Sequence, residues 1–404
     1  MALTISNISA VLKKVIVPVI QNQLPKENVF FSKVKKNSGT TIANNTIYIS
    51  ARTGRHSGIY AVAEGNEPYA GKAKYEQPYT SLKYLFGTLE LTDQAIAATN
   101  EANGDVKAIA SILETEINAL KEDIKIDANR QMHGAGLGKL CLTNGTGVAG
   151  TTLIVDGNPN GGDGTEYLVE GMYIHIGSNG SAAVQISSVD SATQVTLATA
   201  AYWADGATVC KGTGTTISGT TGSNVEIMGL AGLIDDGDNV PIIQAITRSS
   251  STWANSNVED TAATLTEAHM IDLYLKCKRY GGTKVVLAGP TLFSKYGQLL
   301  TSMKKTADLK EVLSGGWRGL EFMDGAGVML DFDTWSGYMQ FVDFDSLTIA
   351  EMSQPFAWLE ADAHGGILKR SASNRTIWEG TLKYYFNLVA KKFKSNGRLS
   401  GKTQ

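Results

Sequence analysis

The chain has 404 residues, a formal net charge of −3, and 43% hydrophobic against 19% charged residues. This composition is typical of a soluble globular protein, and the length suggests two or three domains with ample core. The three cysteines, an odd number without CxxC spacing, argue against a disulfide framework and favour buried thiols in a reducing compartment; they are Cys141, Cys210 and Cys277.

Residues 1–46 are predicted to form an N-terminal arm. Its first twenty residues are apolar, but Lys13 and Lys14 interrupt them and no small-residue cleavage site follows. They therefore fit neither a signal peptide nor a bilayer span, and a short amphipathic helix that docks on a partner is expected instead. The arm carries a net charge of +5 and residues 383–404 carry +6, so the body between them is acidic. Basic ends of this kind either contact neighbouring subunits or nucleic acid, or are simply solvated tails.

Residues 47–91 are predicted to form an extended loop with flanking strands. Residues 46–51 and 81–91 alternate apolar and polar side chains, as strands do. Between them, residues 52–80 are polar and glycine-rich, with four scattered tyrosines. That length is unusual for a plain loop and indicates a projecting two-stranded excursion.

Residues 92–138 are predicted to hold a short helix and then a long one. Thr92 or Asp93 can cap the short helix, and the long helix should run from Asp105 to Met132 before a glycine-rich stop. Its apolar positions recur at three- and four-residue steps, which is one stripe of a helix about 40 Å long; they are Ile109, Leu113, Ile117, Leu120 and Ile124.

Residues 139–224 differ in composition from the rest of the chain. They contain only eight charged residues and several short strand candidates between turn signals, which favours an inserted β-barrel-like domain. Residues 225–340 alternate strands and helices and are predicted to be an α/β lobe with connections. Residues 341–404 are predicted to supply closing strands, including a long aromatic one.

The motifs that could carry chemistry are weak. The run from Gly134 to Lys139 imitates a phosphate loop but follows a helix, and Leu140 stands where Ser or Thr is needed. The segment from Asp156 to Asp163 opens like a calcium loop, yet position twelve is Tyr167 rather than Glu. An Asx-rich turn is the simpler interpretation, with a Ca²⁺ site using Asp156, Asn158, Asn160 and Asp163 left open.

The remaining polar residues form no recognisable constellation either. The five histidines are far apart, and Asp331 and Asp333, on a phosphatase-like strand, are followed by the mismatched Trp335. The sequence predicts no catalytic residue, no cofactor and no metal site, and hence no enzyme.

The order of these parts resembles the major capsid protein of tailed bacteriophages, the Hong Kong 97-type fold. Residues 61–97 resemble that family's passage from extended loop into spine helix, residues 285–299 its axial strand with a Pro-started helix, and residues 377–401 its closing peripheral strand. The resemblance implies an α+β fold with an N-arm, an extended loop, a spine helix, and peripheral and axial domains. Residues 139–224 exceed that plan, and no charged helical scaffolding segment precedes the arm.

The implied function is that of a structural subunit which self-assembles, as pentamers and hexamers, into an icosahedral capsid around a double-stranded DNA genome. Expected partners are other copies, a scaffolding protein, a portal, a decoration protein and non-specifically held DNA, with no membrane. The expected location is the virion, after assembly in the host cytoplasm. Two alternatives remain: an encapsulin-like shell around a cargo enzyme, and a glycan-processing or glycan-binding protein with a β module.

Overall fold

The structure is a computed structural model of the chain. It describes residues 29–38, 42–43, 45–94, 106–177, 183–212, 226–281, 285–303, 320–323, 326–352, 357–359, 369–370 and 376–404. The predicted helix within residues 1–20 lies outside these ranges, as do nearly all of the predicted short helix after Thr92 and the residues that follow it up to 105.

The long helix spans Val106–His133, so the periodicity predicted it to within one residue at each end. Ile124, Ala128 and Met132 on its apolar stripe are buried, and Leu120 packs partly buried against them. The side chains of Ile109 and Leu113 lie outside the described residues. This helix is called the spine helix below.

The spine helix packs on a six-stranded sheet, called the peripheral sheet. Its centre is the long strand Ile377–Ala390, which pairs antiparallel with Lys83–Thr92 through ten consecutive residue pairs. Leu382, Tyr384 and Phe386 alternate along the long strand and are fully buried under the helix. The other four strands are Lys36–Ser38, Leu347–Glu351, Ala357–Trp358 and Lys369–Arg370.

Gly87 marks the closest approach of the spine helix to the sheet. A Cβ atom at this position would lie 2.7 Å from Cδ1 of Leu120 and 2.9 Å from Cδ1 of Ile124. Both distances are shorter than carbon atoms tolerate. A side chain here would therefore force Leu120 and Ile124 to move from their positions on the strand.

Part of the predicted arm, within residues 29–38, packs into the core of the body. Val29–Lys33 forms a short helix, called the arm helix, whose Phe30 and Phe31 are at most 4% exposed. Lys36–Ser38 then adds a parallel edge strand to the peripheral sheet. The physical reason is that burying two adjacent phenylalanine side chains against the spine helix and Tyr384 is favourable. In a solvated arm both rings would stay exposed to water.

The extended loop is a narrow two-stranded excursion. Thr46–Tyr48 pairs with Tyr79–Ser81 and with Ile42–Ala43, and Ala51–Arg52 pairs with Tyr75–Glu76. Main-chain bonds continue outward from Thr53 to Lys74 and from Ser57 to Lys72. At the base, Glu76 accepts from Trp253 Nε1 at 3.1 Å, which fastens the loop to the body.

Residues 139–211 form a separate six-stranded antiparallel sheet with its own apolar cluster, called the barrel. Its two edge strands meet through a bridge between Thr143 and Val155, so the sheet closes on itself. Cys141 and Cys210 are buried inside it, as expected for structural thiols. The strands are Lys139–Leu142, Gly147–Ile154, Tyr173–Ile176, Val184–Ser191, Gln194–Trp203 and Thr208–Lys211. That this unit is an inserted domain remains a prediction.

The α/β lobe is built on a third six-stranded sheet. Helices Glu267–Lys278 and Pro290–Met303 flank it, and the Thr266 side chain caps the first helix by accepting from the His269 amide. The sheet contains Asn257–Glu259, Val285–Ala288, Leu320–Phe322, Ala326–Leu330, Met339–Val342 and Gly397–Leu399.

The last strands correct the expectation that residues 341–404 all close the peripheral sheet. Gly397–Leu399 lies in the lobe sheet, and Lys402–Thr403 pairs with Ala263–Thr264. The reason is a buried charge cluster in the connection after the barrel: Asp235 binds both Arg248 and Arg398 at 3.2 Å. Removing the C-terminal strand from the lobe would leave Asp235 underpaired in the core.

The rest of the connection is short structure around that cluster. It consists of helix Leu230–Leu233, the hairpin Ile242–Ile243 with Ile246–Thr247, and the 3-10 turn Thr252–Ala254. Arg248 also donates to the carbonyls of Gly232, Leu233 and Ala254, so it closes this segment around one buried guanidinium.

Ile124→Asp tests the packing of the spine helix. Ile124 is 5% exposed, so the new carboxylate would be buried without a partner, and we expect a loss of about 3–5 kcal/mol in the free energy of unfolding. Urea unfolding followed by circular dichroism measures it. Glu122→Asp is the control, because it introduces an aspartate at an exposed position of the same helix. It should change the free energy of unfolding by less than about 1 kcal/mol. Equal effects from both variants would contradict this packing.

The barrel fragment is the second test. Residues 138–212 contain every strand of the closed sheet and its apolar cluster, so the isolated fragment should give a β-type spectrum and a cooperative melt. A matched fragment of residues 138–206 lacks the strand Thr208–Lys211 and should not melt cooperatively. Disorder in the longer fragment would mean that the barrel depends on the body for its fold.

Candidate functional site

The weak motifs of the sequence do not come together as a chemical site. Gly134–Lys139 joins the spine helix to the first barrel strand, as a helix-stop linker would. In the calcium-like segment, Asn158 and Asn160 donate to Glu166 Oε2 at 3.0 and 3.4 Å, and Asn160 Oδ1 accepts from the Gly162 amide. The segment is thus held as an Asx-rich turn. Among the described residues, no group of three or more His, Cys, Asp or Glu side chains could hold a metal ion.

A buried polar cluster lies where the spine helix ends, and we call it the junction. His133 Nε2 lies 3.0 Å from Asp331 Oδ2, and Thr334 Oγ1 lies 3.4 Å from His133 Nδ1. Asp331 also accepts from the main-chain amides of Phe30 and Asp333, at 3.3 and 3.1 Å. One carboxylate therefore contacts the arm helix, the spine helix and its own loop in the lobe.

Asp333 extends the junction to the barrel. Its Oδ1 accepts from the Tyr167 hydroxyl at 2.5 Å, and its Oδ2 accepts from Asn129 Nδ2 at 2.5 Å. Asn129 in turn accepts from the Phe31 amide at 3.0 Å, through its side-chain oxygen. Four segments that are distant in sequence thus meet at one hydrogen-bonded cluster: the arm helix, the spine helix, the lobe loop 331–334 and the barrel.

Burial and charge shift the proton affinities of this cluster. Burial alone lowers the pKa of His133, but the charge and hydrogen bond of Asp331 outweigh it, so this pKa lies above its ordinary value. Burial raises the pKa of Asp331, yet the His133 charge and the amide donors bring it below its ordinary value. The pKa of Asp333 is raised, because burial outweighs the stabilisation of its ionised form by His133, Tyr167 and Asn129.

Thr334, His133 and Asp331 are arranged like the hydroxyl, the base and the orienting carboxylate of a catalytic triad. Their burial, however, does not suit catalysis. All three residues are at most 1% exposed, so a substrate cannot reach the hydroxyl. From the sequence, Asp331 and Asp333 were predicted only as a pair on one strand, and their contacts with His133, Asn129 and Tyr167 were not predicted. The one available signal was the density of polar residues at the end of an otherwise amphipathic helix, Asn129–His133.

The exposed aromatic residues of the extended loop form the clearest candidate interaction surface. Ile59 and Tyr69 are 80% and 82% exposed, although large apolar side chains usually find cover. The rings of Tyr60 and Tyr69 contact each other edge-on across the two arms of the loop, at 6.2 Å. The loop therefore presents an apolar surface that its own chain does not cover.

A second exposed aromatic surface lies on the outer face of the peripheral sheet. Tyr84 and Phe86 are about half exposed, and both rings contact Tyr385 edge-on at 4.7 and 5.6 Å. Tyr384 and Phe386 on the opposite face are buried. The run Tyr384–Phe386, predicted to fill a core or an interface, thus contributes two residues to the core and one to the surface.

The basic ends are partly neutralised within the chain. Lys35 pairs with Asp345 at 2.6 Å, and Lys36 lies 4.2 Å from the centre of the Phe31 ring. Arg398 and Lys402 near the C-terminus are buried and bind Asp235 and Glu259. Lys33, Lys35 and Lys36 remain on the surface, and their predicted role between subunits or on DNA remains a prediction.

Within the described residues, no helix has the length and apolar character required to cross a membrane.

Comparison with known proteins identifies the fold. No protein-family model matches the chain, and no curated protein matches its sequence. Among solved structures, it matches the capsid asymmetric unit of Cyanophage A-1(L) with a TM-score of 0.58 and 13% identity over 96% of both chains. It matches the capsid of a native GTA particle with a TM-score of 0.50 and 9% identity, over 96% of this chain and 94% of that one. The chain also matches an encapsulin complex from Synechococcus elongatus with a TM-score of 0.47 and 6% identity, over 97% of this chain and 95% of that one.

The first two matches confirm the resemblance to the Hong Kong 97-type fold as a fold. The chain is a mixed α+β protein with the architecture of capsid subunits over nearly its whole length.

Asp331→Asn tests the junction. A lowered pKa in the folded state means that ionised Asp331 contributes stability above its ordinary pKa, and that this contribution disappears as pH falls through the folded value. We expect the variant to lose about 3–5 kcal/mol of unfolding free energy near pH 6, and the difference from wild type should shrink as pH falls below the ordinary Asp value of about 3.9. Urea unfolding across this pH range measures it.

Asp345→Asn is the matched control, because Asp345 forms an exposed ion pair with Lys35. This variant should change the free energy of unfolding by less than about 1 kcal/mol. A pH-independent loss in Asp331→Asn would show that the ionisation of Asp331 is not what stabilises the fold.

Proposed function

We propose that this protein is the structural subunit of an icosahedral bacteriophage capsid and assembles into the shell that encloses a double-stranded DNA genome. The observation that carries the proposal is the near-full-length match to the subunits of solved capsids. The role is structural, and the chemistry is that of surfaces which bury each other.

The exposed surfaces support assembly through heterologous contacts. Copies arranged around five-fold and six-fold axes bury different patches on each side, so one chain closes into pentamers and hexamers. The loop residues Ile59 and Tyr69 project from the body and can reach a neighbouring subunit. Such overlap would add to the roughly 1,600 Å² that an ordinary interface buries.

Other partners follow from the same proposal. The shell would need a scaffolding protein and a portal during assembly in the host cytoplasm, and it would hold DNA without base specificity through exposed lysines. The barrel would be an inserted domain on the outer face, where its few charges and exposed Tyr202 and Val148 could meet a decoration protein.

Replacing residues 55–73 by Asn-Gly tests the proposal. Gly54 and Lys74 face each other across the hairpin, since the Gly54 amide donates to the Lys74 carbonyl at 3.2 Å, so a two-residue turn can close it there. The shortened subunit should keep its free energy of unfolding within about 1 kcal/mol, because this segment buries no core. Assembly of the expressed protein into megadalton particles, measured by sedimentation, should be lost.

Two tyrosines provide a matched comparison on the full-length chain. Tyr69 on the loop and Tyr202 on the barrel are 82% and 70% exposed, so Tyr69→Ser and Tyr202→Ser remove similar surface. Tyr69→Ser should reduce the particle fraction, and Tyr202→Ser should not. A wild-type chain that stays monomeric with its neighbouring genes co-expressed would overturn the proposed function. Particles loaded with a co-expressed enzyme and lacking DNA would instead favour the encapsulin-like shell.

A further inference from the structure

The junction is the place where parts of the chain that are distant in sequence are connected by polar bonds. The barrel contacts the lobe loop through the Tyr167–Asp333 hydrogen bond and through a main-chain bond from Ser336 to the Pro159 carbonyl at 2.7 Å. The arm helix is held there by the amides of Phe30 and Phe31. These bonds are directional, so they fix orientation in a way that apolar packing alone does not.

The charges around the junction come from several elements. On the spine helix, Asp127 and Arg130 bind each other at 3.1 Å. Arg130 also binds Glu226 of the connection, and Lys211 of the barrel binds Asp127, each at 2.5 Å. Tyr167 and the exposed Glu166 face the junction from the barrel, and Lys139 lines the adjoining cavity. The described part of the arm helix contributes amides and rings, with the Phe30 ring 5.6 Å from His133.

His133 has a special place in this set of charges. Arg130 and Lys211 are engaged by Asp127 and Glu226, whereas His133 faces both Asp331 and Asp333. Asn129 Nδ2 reaches both of these carboxylates, at 3.5 and 2.5 Å, so the two lie close together. Two neighbouring carboxylates in a buried site require a cation to remain ionised together.

We propose that His133, Asp331 and Asp333 form a proton-operated lock that holds the barrel and the arm helix against the lobe while His133 is protonated and releases them when its proton is lost. The imidazolium donates to Asp331 and offsets the charge of both carboxylates. Without the proton, the two carboxylates repel each other at short range, and outward movement of loop 331–334 relieves that repulsion. This movement would take Asp333 from Tyr167 and Asp331 from the Phe30 amide.

The sign of the pH dependence follows from His133. Its pKa in the folded chain lies above its ordinary value, so the stability it contributes is complete below about pH 6.5 and disappears as pH rises through the folded value. Asp331 limits the lock on the acidic side, because its stabilising charge is lost at low pH. The lock belongs to the single chain, so it can operate whether or not the chain builds a shell.

Hydrogen exchange of the unassembled full-length chain tests the lock. Protection factors divide out the intrinsic pH dependence of exchange, and peptides that contain Ser336, Phe30 and Phe31 report on the two released contacts. Between about pH 6 and pH 9, we expect their protection to fall at least about tenfold, which corresponds to one pKa unit of coupling. Peptides from the barrel interior around Ile174 should keep theirs. Constant protection of all these peptides would overturn the proposal.

Variants identify the group responsible. Asp333→Asn keeps the shape of the side chain but removes one of the two carboxylates that favour protonated His133, so the midpoint of the transition should move to lower pH. His133→Gln should lose protection at these peptides at every pH and show no transition. His56→Gln, at an exposed position of the extended loop, should behave as wild type. An unchanged midpoint in Asp333→Asn, or a surviving transition in His133→Gln, would assign the pH dependence to another group and overturn the lock.

Discussion

The packing of the spine helix against the long antiparallel strand pair is the contact on which the rest of the fold depends. The 28-residue helix crosses the peripheral sheet where Gly87 removes a side chain, and Leu120 and Ile124 occupy the space. The arm helix, the lobe strands and the connection add to the same apolar cluster. This cluster joins the arm helix, the spine helix, the connection, the lobe and the long strand pair, and none of its residues comes from the extended loop or the barrel.

The polar junction complements that apolar contact. Apolar burial fixes which faces meet, but it tolerates sliding and rotation, whereas the hydrogen bonds of Asp331 and Asp333 to three other segments define one orientation. The chain keeps ionisable groups there at a cost in desolvation. An apolar replacement could be as stable, but it would not respond to protons.

The sequence predicted well what depends on local periodicity. The 3.6-residue stripe gave the spine helix, and alternation gave the strand Ile377–Ala390 with its buried Tyr384 and Phe386. Regular turn signals gave the strands of the barrel. The resemblance to capsid subunits likewise depended on the order of such elements.

What the sequence could not give depends on contacts between distant residues. Phe30 and Phe31 belong to too short a segment to show periodicity, so their place in the core was missed. The attachment of Gly397–Leu399 to the lobe follows from Arg398 and Asp235, which are 163 positions apart. The junction is similar, since His133 and Asp331 are separated by 198 positions. No pattern along the chain signals such a pair.

The most direct measurement of the central claim is an electron cryomicroscopy reconstruction of particles formed by the expressed chain with its neighbouring genes. The account predicts closed shells with five-fold and six-fold rings, in which residues 55–73 of each subunit lie on a neighbour and cover Ile59 and Tyr69. Rings in which this loop stands free in solvent, or the absence of any closed particle, would contradict it.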